Sequence, residues 1–173
     1  MNLNLKKLAF SLLVAGCSVT IASAQNYKKG DNLLNIGAGF GGGFGTPIGL
    51  SFEHGFSDKI SGGVYVAYAS KTEALPYVGD YKWTYILTAA RASYHFSFGG
   101  EKLDPYLGAM LGYNIASGKW ASSSSIPYSG ASAGGFIWGG HAGARYLFSE
   151  KIGVFAEVGY GVGNLNAGVT FKF

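Results

Sequence analysis

Seven side chains sit where their types and spacing allow chemistry: Glu53, Arg91, His95, His141, Arg145, Glu157 and Lys172. Each lies within a run that alternates in polarity, on the parity otherwise occupied by glycine and serine. Carboxylates facing guanidinium groups across such a run can form buried ion pairs or line an ion path. With the two imidazoles they can also relay protons. Arg145 and Glu157 fall on consecutive runs joined by a short turn, and that spacing predicts a cross-strand pair. Other chemical motifs are thin. His54, His95 and His141 lack the spacing of metal ligands. No G-x-S-x-G elbow occurs. Gly37-Ala38-Gly39-Phe40-Gly41-Gly42 fits the dinucleotide pattern formally, but Pro47 and a further alternating run follow it where that motif requires a helix. No catalytic set, cofactor or metal is expected.

The elements that carry these residues have a period of two. Alternating runs span about 32–41, 47–56, 60–70, 81–97, 104–116, 134–148, 152–161 and 164–173, and no stretch has helical periodicity. In the fifth run Leu107, Ala109, Leu111, Tyr113 and Ile115 oppose Tyr106, Gly108, Met110, Gly112 and Asn114. One face is therefore aliphatic and aromatic, and the other is small, polar or charged. A soluble ligand-binding barrel would place the apolar face inside and spread charge outside. Here only 13% of residues are charged, about half the roughly 25% of soluble proteins. Aromatic residues reach 16%, and glycine makes up 29 of 173 residues. An arginine facing lipid at mid-depth costs about 2–4 kcal/mol, so Arg91 and Arg145 belong inside. Strand four is irregular, because Tyr81, Trp83 and Tyr85 share the parity of Arg91. Either it extends past the membrane or a bulge switches its faces.

Turns differ at the two ends. Phe56-Ser57-Asp58-Lys59-Ile60 matches Phe148-Ser149-Glu150-Lys151-Ile152, and Phe98-Gly99-Gly100-Glu101-Lys102-Leu103 is a looser copy. The opposite connections, 71–80 and 117–133, are longer. The second, with Trp120, Ile126 and Tyr128, is a candidate surface loop for a ligand of unknown identity. Aromatics gather near both ends: Phe96, Phe98, Tyr146, Phe148 and Phe173 at the turn end, and Phe40, Tyr81, Trp83, Phe136, Trp138 and Tyr160 at the loop end. That distribution predicts two interfacial girdles.

Residues 1–24 have the three parts of a secretory signal peptide: Lys6-Lys7, an apolar core from Leu8 to Gly16, and Ala22-Ser23-Ala24 as the cleavage site. Val14-Ala15-Gly16-Cys17 offers an alternative, lipidation at Cys17. Cleavage removes two lysines and lowers the formal net charge from +4 to +2. Lys28-Lys29 is then the only basic cluster, too small for a nucleic-acid footprint. The remaining residues 25–173 form one domain.

These features together resemble the small eight-stranded outer-membrane barrels of the OmpA/OmpX type. The ending Val169-Thr170-Phe171-Lys172-Phe173 is similar to that family's signal for the barrel-assembly machinery, carried by Phe171 and Phe173. Asp104-Pro105-Tyr106-Leu107-Gly108 resembles a strand opening common among its members. The resemblance implies an all-β, eight-stranded antiparallel up-and-down transmembrane barrel. It sits in outer-membrane lipid, with both termini periplasmic. Eight strands leave an interior just wide enough for side chains, so a plugged lumen and a structural or surface-interaction role are expected. A narrow porin-like channel is the alternative, and an outer-leaflet lipid-active enzyme is a third. His95 and His141 lie away from the outer rim, where the barrel enzymes of this kind carry their histidines.

Overall fold

The structure, a computed structural model, describes residues 26–75, 79–120 and 131–173. Signal residues 1–24, with Cys17, and loop residues Ile126 and Tyr128 lie outside the described residues. Eight strands follow in order: β1 (Asn32–Phe40), β2 (Ile48–Gly55), β3 (Ile60–Leu75), β4 (Gly79–His95), β5 (Leu103–Trp120), β6 (Ala131–Leu147), β7 (Ile152–Tyr160) and β8 (Leu165–Lys172). Each pairs antiparallel with its neighbours, and β1 pairs with β8 to close the barrel. No α-helix is present among the described residues.

Both copies of the turn motif fold alike. The amides of Phe56 and Ser57 donate to the Ile60 carbonyl, and those of Phe148 and Ser149 donate to the Ile152 carbonyl. In each, the serine hydroxyl accepts from the amide three residues on, at 3.1 Å. The looser third copy is entered instead through a short 3-10 turn at Ser97–Gly99.

Burial is inverted relative to a soluble protein. Phe136 is 81% exposed and Trp138 66%, while Glu53 and His95 are 0% and Arg145 1% exposed. The outward apolar belt runs from Ile48 on β2 to Phe56 just after it, Ile86 to Tyr94 on β4, Leu107 to Ile115 on β5 and Ile152 to Tyr160 on β7. Each of those stretches is nine residues long, matching the 9–11 tilted residues that cross a bilayer core. Leu111 stands at the middle of that belt. Leu111→Arg is expected to lower stability by about 2–4 kcal/mol in a lipid bilayer. The same change at Asn114, on the inward parity near the loop end, should cost far less. Urea titration in vesicles compares the two, and equal losses would contradict the facing.

The strands of one half are taller than the sequence suggests. β3 and β4 stay paired as far as Leu75↔Gly79, and β5 and β6 as far as Gly118↔Ala131. Much of the expected loops 71–80 and 117–133 is therefore strand. Pairing of β4 with β3 and β5 is unbroken from Tyr81 to His95, so no bulge exists there. The strand extends past the belt and keeps one parity throughout. Above Tyr68, Ile86 and Ile115 the outward side chains become Thr72, Lys82, Thr84, Ser117 and Lys119. Alternation of apolar with polar residues stops there because neither face meets lipid, and the sequence then reads as loop. β3–β6 thus raise a four-stranded lip. Tyr81 and Trp83 lie on its inner face, which corrects their assignment to the outer girdle. Phe40, Phe136, Trp138 and Tyr160 do face outward.

Candidate functional site: the charged cluster in the lumen

Arg145 is the hub. Its guanidinium lies 2.7 Å from Glu53 Oε1 and 3.0 Å from Asp104 Oδ2, and Nε donates to Asn35 Oδ1 at 3.2 Å. Its Cζ sits 4.0 Å from the centre of the Tyr106 ring. Arg91 is the second cation. Its Nη2 is 2.7 Å from Glu157 Oε1, and its Nε is 3.3 Å from Glu53 Oε1 without aligning its hydrogen on that oxygen. Glu53 therefore bridges both arginines. Tyr106 donates its hydroxyl to Glu157 at 2.9 Å. His141 Nε2 is 2.9 Å from Arg91 Nη2 and so accepts from it.

A second chain of contacts closes the circuit at the turn end. Ser61 Oγ donates to Glu53 Oε2 at 2.7 Å and lies 2.9 Å from His95 Nε2, while His95 Nδ1 is 2.7 Å from Asp104 Oδ1. The residues are those of a serine nucleophile triad, with a carboxylate added on the far side of the serine. Ser61 has a single hydroxyl hydrogen, and the Glu53 carboxylate takes it in competition with His95. All three are buried. Glu53, Arg145, Asp104, His95 and Ser61 form a closed ring contributed by β2, β6, β5, β4 and β3.

Tyr27 caps this ring. It precedes β1 and is 1% exposed. Its ring stacks on His95 at 3.6 Å with a 7° tilt, and its hydroxyl donates to the Ile60 carbonyl at 2.7 Å. Burial, reinforced by the carboxylates of Asp104 and Glu53, pushes its phenol well above the ordinary range. The strap around it is tied by Gly30 to Gly55 and by Lys29 to Asp58.

The neighbouring strands make room. Gly63 pairs with Glu53 on one side and Arg91 on the other, so no side chain stands between them. Gly143 pairs with Glu157, and a Cβ there would lie 2.8 Å from Glu157 Cγ and 2.9 Å from Tyr106 Cζ. Two voids of about 20 Å³ flank Arg91, Tyr65 and Glu157, each near the size of one water. Toward the loop end the lumen turns apolar. Ala67, Ala69, Leu87, Ile137 and Val162 are buried there, with Phe44 and Met110 packed against them.

Six of the seven residues picked from the sequence are buried in the lumen: Glu53, Arg91, His95, His141, Arg145 and Glu157. Lys172 is not in the cluster. It pairs with Asp31 at 2.8 Å and contacts the Asn26 carbonyl at the turn-end rim. The expected Arg145–Glu157 pair does not form. Arg145 stands opposite Phe155 and Glu157 opposite Gly143, so each reaches across the lumen to another strand. Asp104, Ser61, Asn35 and Tyr27 were not foreseen. Asp104 reads as part of a strand opening, and Tyr27 precedes the first alternating run. Phe171 and Phe173 lie on the outward parity of β8, Phe173 being 63% exposed. Trp120 ends β5 on the inner face of the lip, its ring 5.1 Å from Tyr81.

A closed barrel of eight antiparallel strands, apolar outside and charged within, has the fold of the small outer-membrane barrels. Three crystal structures share it. The N-terminal barrel domain of OprF from Pseudomonas aeruginosa has a TM-score of 0.56 at 21% identity, over 86% of this chain and 98% of that one. OprG from the same organism has a TM-score of 0.54 at 18% identity, over 87% and 99%. Neisserial surface protein A has a TM-score of 0.54 at 21% identity, over 83% and 94%. No protein-family model and no curated protein matches the sequence.

Proposed function

We propose that this chain is an integral outer-membrane barrel with a closed lumen, serving envelope integrity or surface interaction through its lip. The observation that carries this reading is the filling of the lumen. A crossed ring of ion pairs occupies the turn half, an apolar plug occupies the loop half, and Tyr27 covers the lower mouth. In this reading the three together leave no continuous aqueous path. The lip, by contrast, has a polar outer face that suits water on the far side of the membrane. In this reading the signal peptide is removed, both termini and the tight turns are periplasmic, and Phe171 and Phe173 present the last strand to the assembly machinery. The buried charges serve structure rather than catalysis, since the Ser61 hydroxyl is committed to Glu53.

Topology is tested by single cysteines and a membrane-impermeant maleimide on intact cells. Lys119→Cys, on the outer face of the lip, should label directly. Lys151→Cys, in a tight turn, should label only after the envelope is opened. Labelling of Lys151→Cys in intact cells would reverse the orientation and remove the surface role.

A further inference from the structure

The inner face of the lip has a composition that the barrel itself does not require. Tyr85 packs on Phe44 and the apolar plug, Trp83 and Tyr81 follow it upward on the inward parity of β4, and Trp120 adjoins them from β5. Tyr81 meets Trp83 and Trp120 edge-on, each at 5.1 Å, while Trp83 and Tyr85 lie near-parallel at 6.3 Å with a 20° tilt. The Tyr81 ring rests on the backbone of Gly118, where a side chain would displace it. These four rings are half-buried, not sealed, and Ala131 and Ala133 on the same inner face of β6 are exposed. Beside the aromatics, in register with Trp83 and Tyr81, stand Lys71 and Glu73. They pair at 2.8 Å with side chains 44% and 45% exposed.

The arrangement is a trough: an aromatic wall, a shelf of small residues and a rim holding one donor and one acceptor of opposite charge. It stands past the lipid belt, where water meets it. A contiguous aromatic surface in water marks an interaction site more often than an ornament. From this we infer that the trough binds a neutral oligosaccharide. A pyranose ring has an apolar C–H face that lies flat on an indole or phenol ring, and its edge carries hydroxyls that both donate and accept. Lys71 and Glu73 supply partners for both roles. The rim has no excess of either sign, and Asp80, Lys82 and Lys119 on the outer face are mixed too, so a polyanion gains little. An acyl chain would leave the ion pair unused. The plugged lumen below makes the sugar lie across the mouth rather than thread it. This inference rests on the proposed surface role, because it names the partner class of the lip.

The test uses the folded full-length mature barrel in detergent micelles, its folding confirmed by heat-modifiable gel migration. Tryptophan fluorescence is titrated with maltohexaose, cellohexaose and chitotetraose, and with a heparin-derived oligosaccharide as the anionic comparison. A saturable shift with at least one neutral sugar is expected. Trp83→Ala and Trp120→Ala should each weaken it tenfold or more, while Trp138→Phe, on the outward belt, should leave the midpoint unchanged. No shift with any neutral sugar, a shift only with the heparin fragment, or a shift indifferent to Trp83→Ala would overturn the inference. So would sedimentation showing that a second copy of the chain covers the trough. Binding is read in micelles and orientation on cells, so the two proposals fail separately. A silent titration with Lys119→Cys labelled on intact cells sinks only the sugar. Binding without that labelling sinks only the surface placement.

Discussion

Glu53→Leu should lower the stability of the folded barrel by on the order of 3 kcal/mol, read as a fall in the urea midpoint. Glu53 is fully buried and, among the described residues, is the one carboxylate that touches both Arg91 and Arg145. Removing one partner of a buried ion pair typically costs about 3–5 kcal/mol, because the other charge stays buried without compensation. The lower end applies here. Arg91 keeps Glu157, and Arg145 keeps Asp104. Ser61 also loses its acceptor. The network then makes a prediction about pairs. Glu53→Leu with Arg145→Leu leaves two intact couples, Arg91–Glu157 and His95–Asp104. That double variant should be more stable than the sum of its single losses by about 2 kcal/mol, within the 0.5–3 kcal/mol found for residues in direct contact. Arg145→Leu with Glu157→Leu should show much weaker coupling, since those two side chains pair with different partners. Equal coupling in both doubles would contradict the crossed arrangement.

Gly63→Ala should cost nearly as much, about 3 kcal/mol, at the upper end for overpacked sites. A single methyl group is normally harmless in a strand. At Gly63 it would run into the Phe52 carbonyl and lie 2.8 Å from Glu53 Cα, between the two charges that must meet. The backbone of β2 cannot retreat without breaking its pairing with β1 and β3. Gly43→Ala supplies the comparison, because a Cβ there meets nothing within 4 Å. It should leave the midpoint unchanged. If Gly63→Ala were equally silent, the close approach of Glu53 and Arg91 would not be a packing constraint.

These two residues also show where sequence reasoning reaches its limit. Period two places Glu53, Arg91, Arg145 and Glu157 on one face, because a strand has only two faces. It says nothing of the angle around the lumen. In a barrel this narrow a long side chain reaches past its neighbouring strand. Arg145 finds Glu53 from a strand 92 residues distant along the chain and passes over Glu157 on the adjacent strand. Gly63 and Gly143 held the missing signal, since an inward glycine beside a charge leaves the gap through which that charge crosses. Lys172 alternates correctly but sits at the end of β8, where the lumen opens, so parity alone overstates its depth. The lip escaped for another reason. Its strands leave the lipid belt, the outward face turns polar, and the alternation that identifies a strand disappears although the hydrogen-bonded ladder continues. Tyr27 lies outside any strand. Only its contacts with His95 and Ile60 place it over the buried ring.

Single-channel recording of the folded mature chain in a planar bilayer tests the closed lumen most directly. The ion-pair ring, the apolar plug and voids of about 20 Å³ between them predict a silent membrane at all modest voltages, from a sample proven folded by heat-modifiable migration. Tyr27→Ala should remain silent as well, because the proposed closure also includes the buried Leu87 and Ile137 of the loop half. Stable, discrete conductance steps from the wild-type chain would contradict the account and make Glu53, Arg91 and Arg145 the lining of a channel.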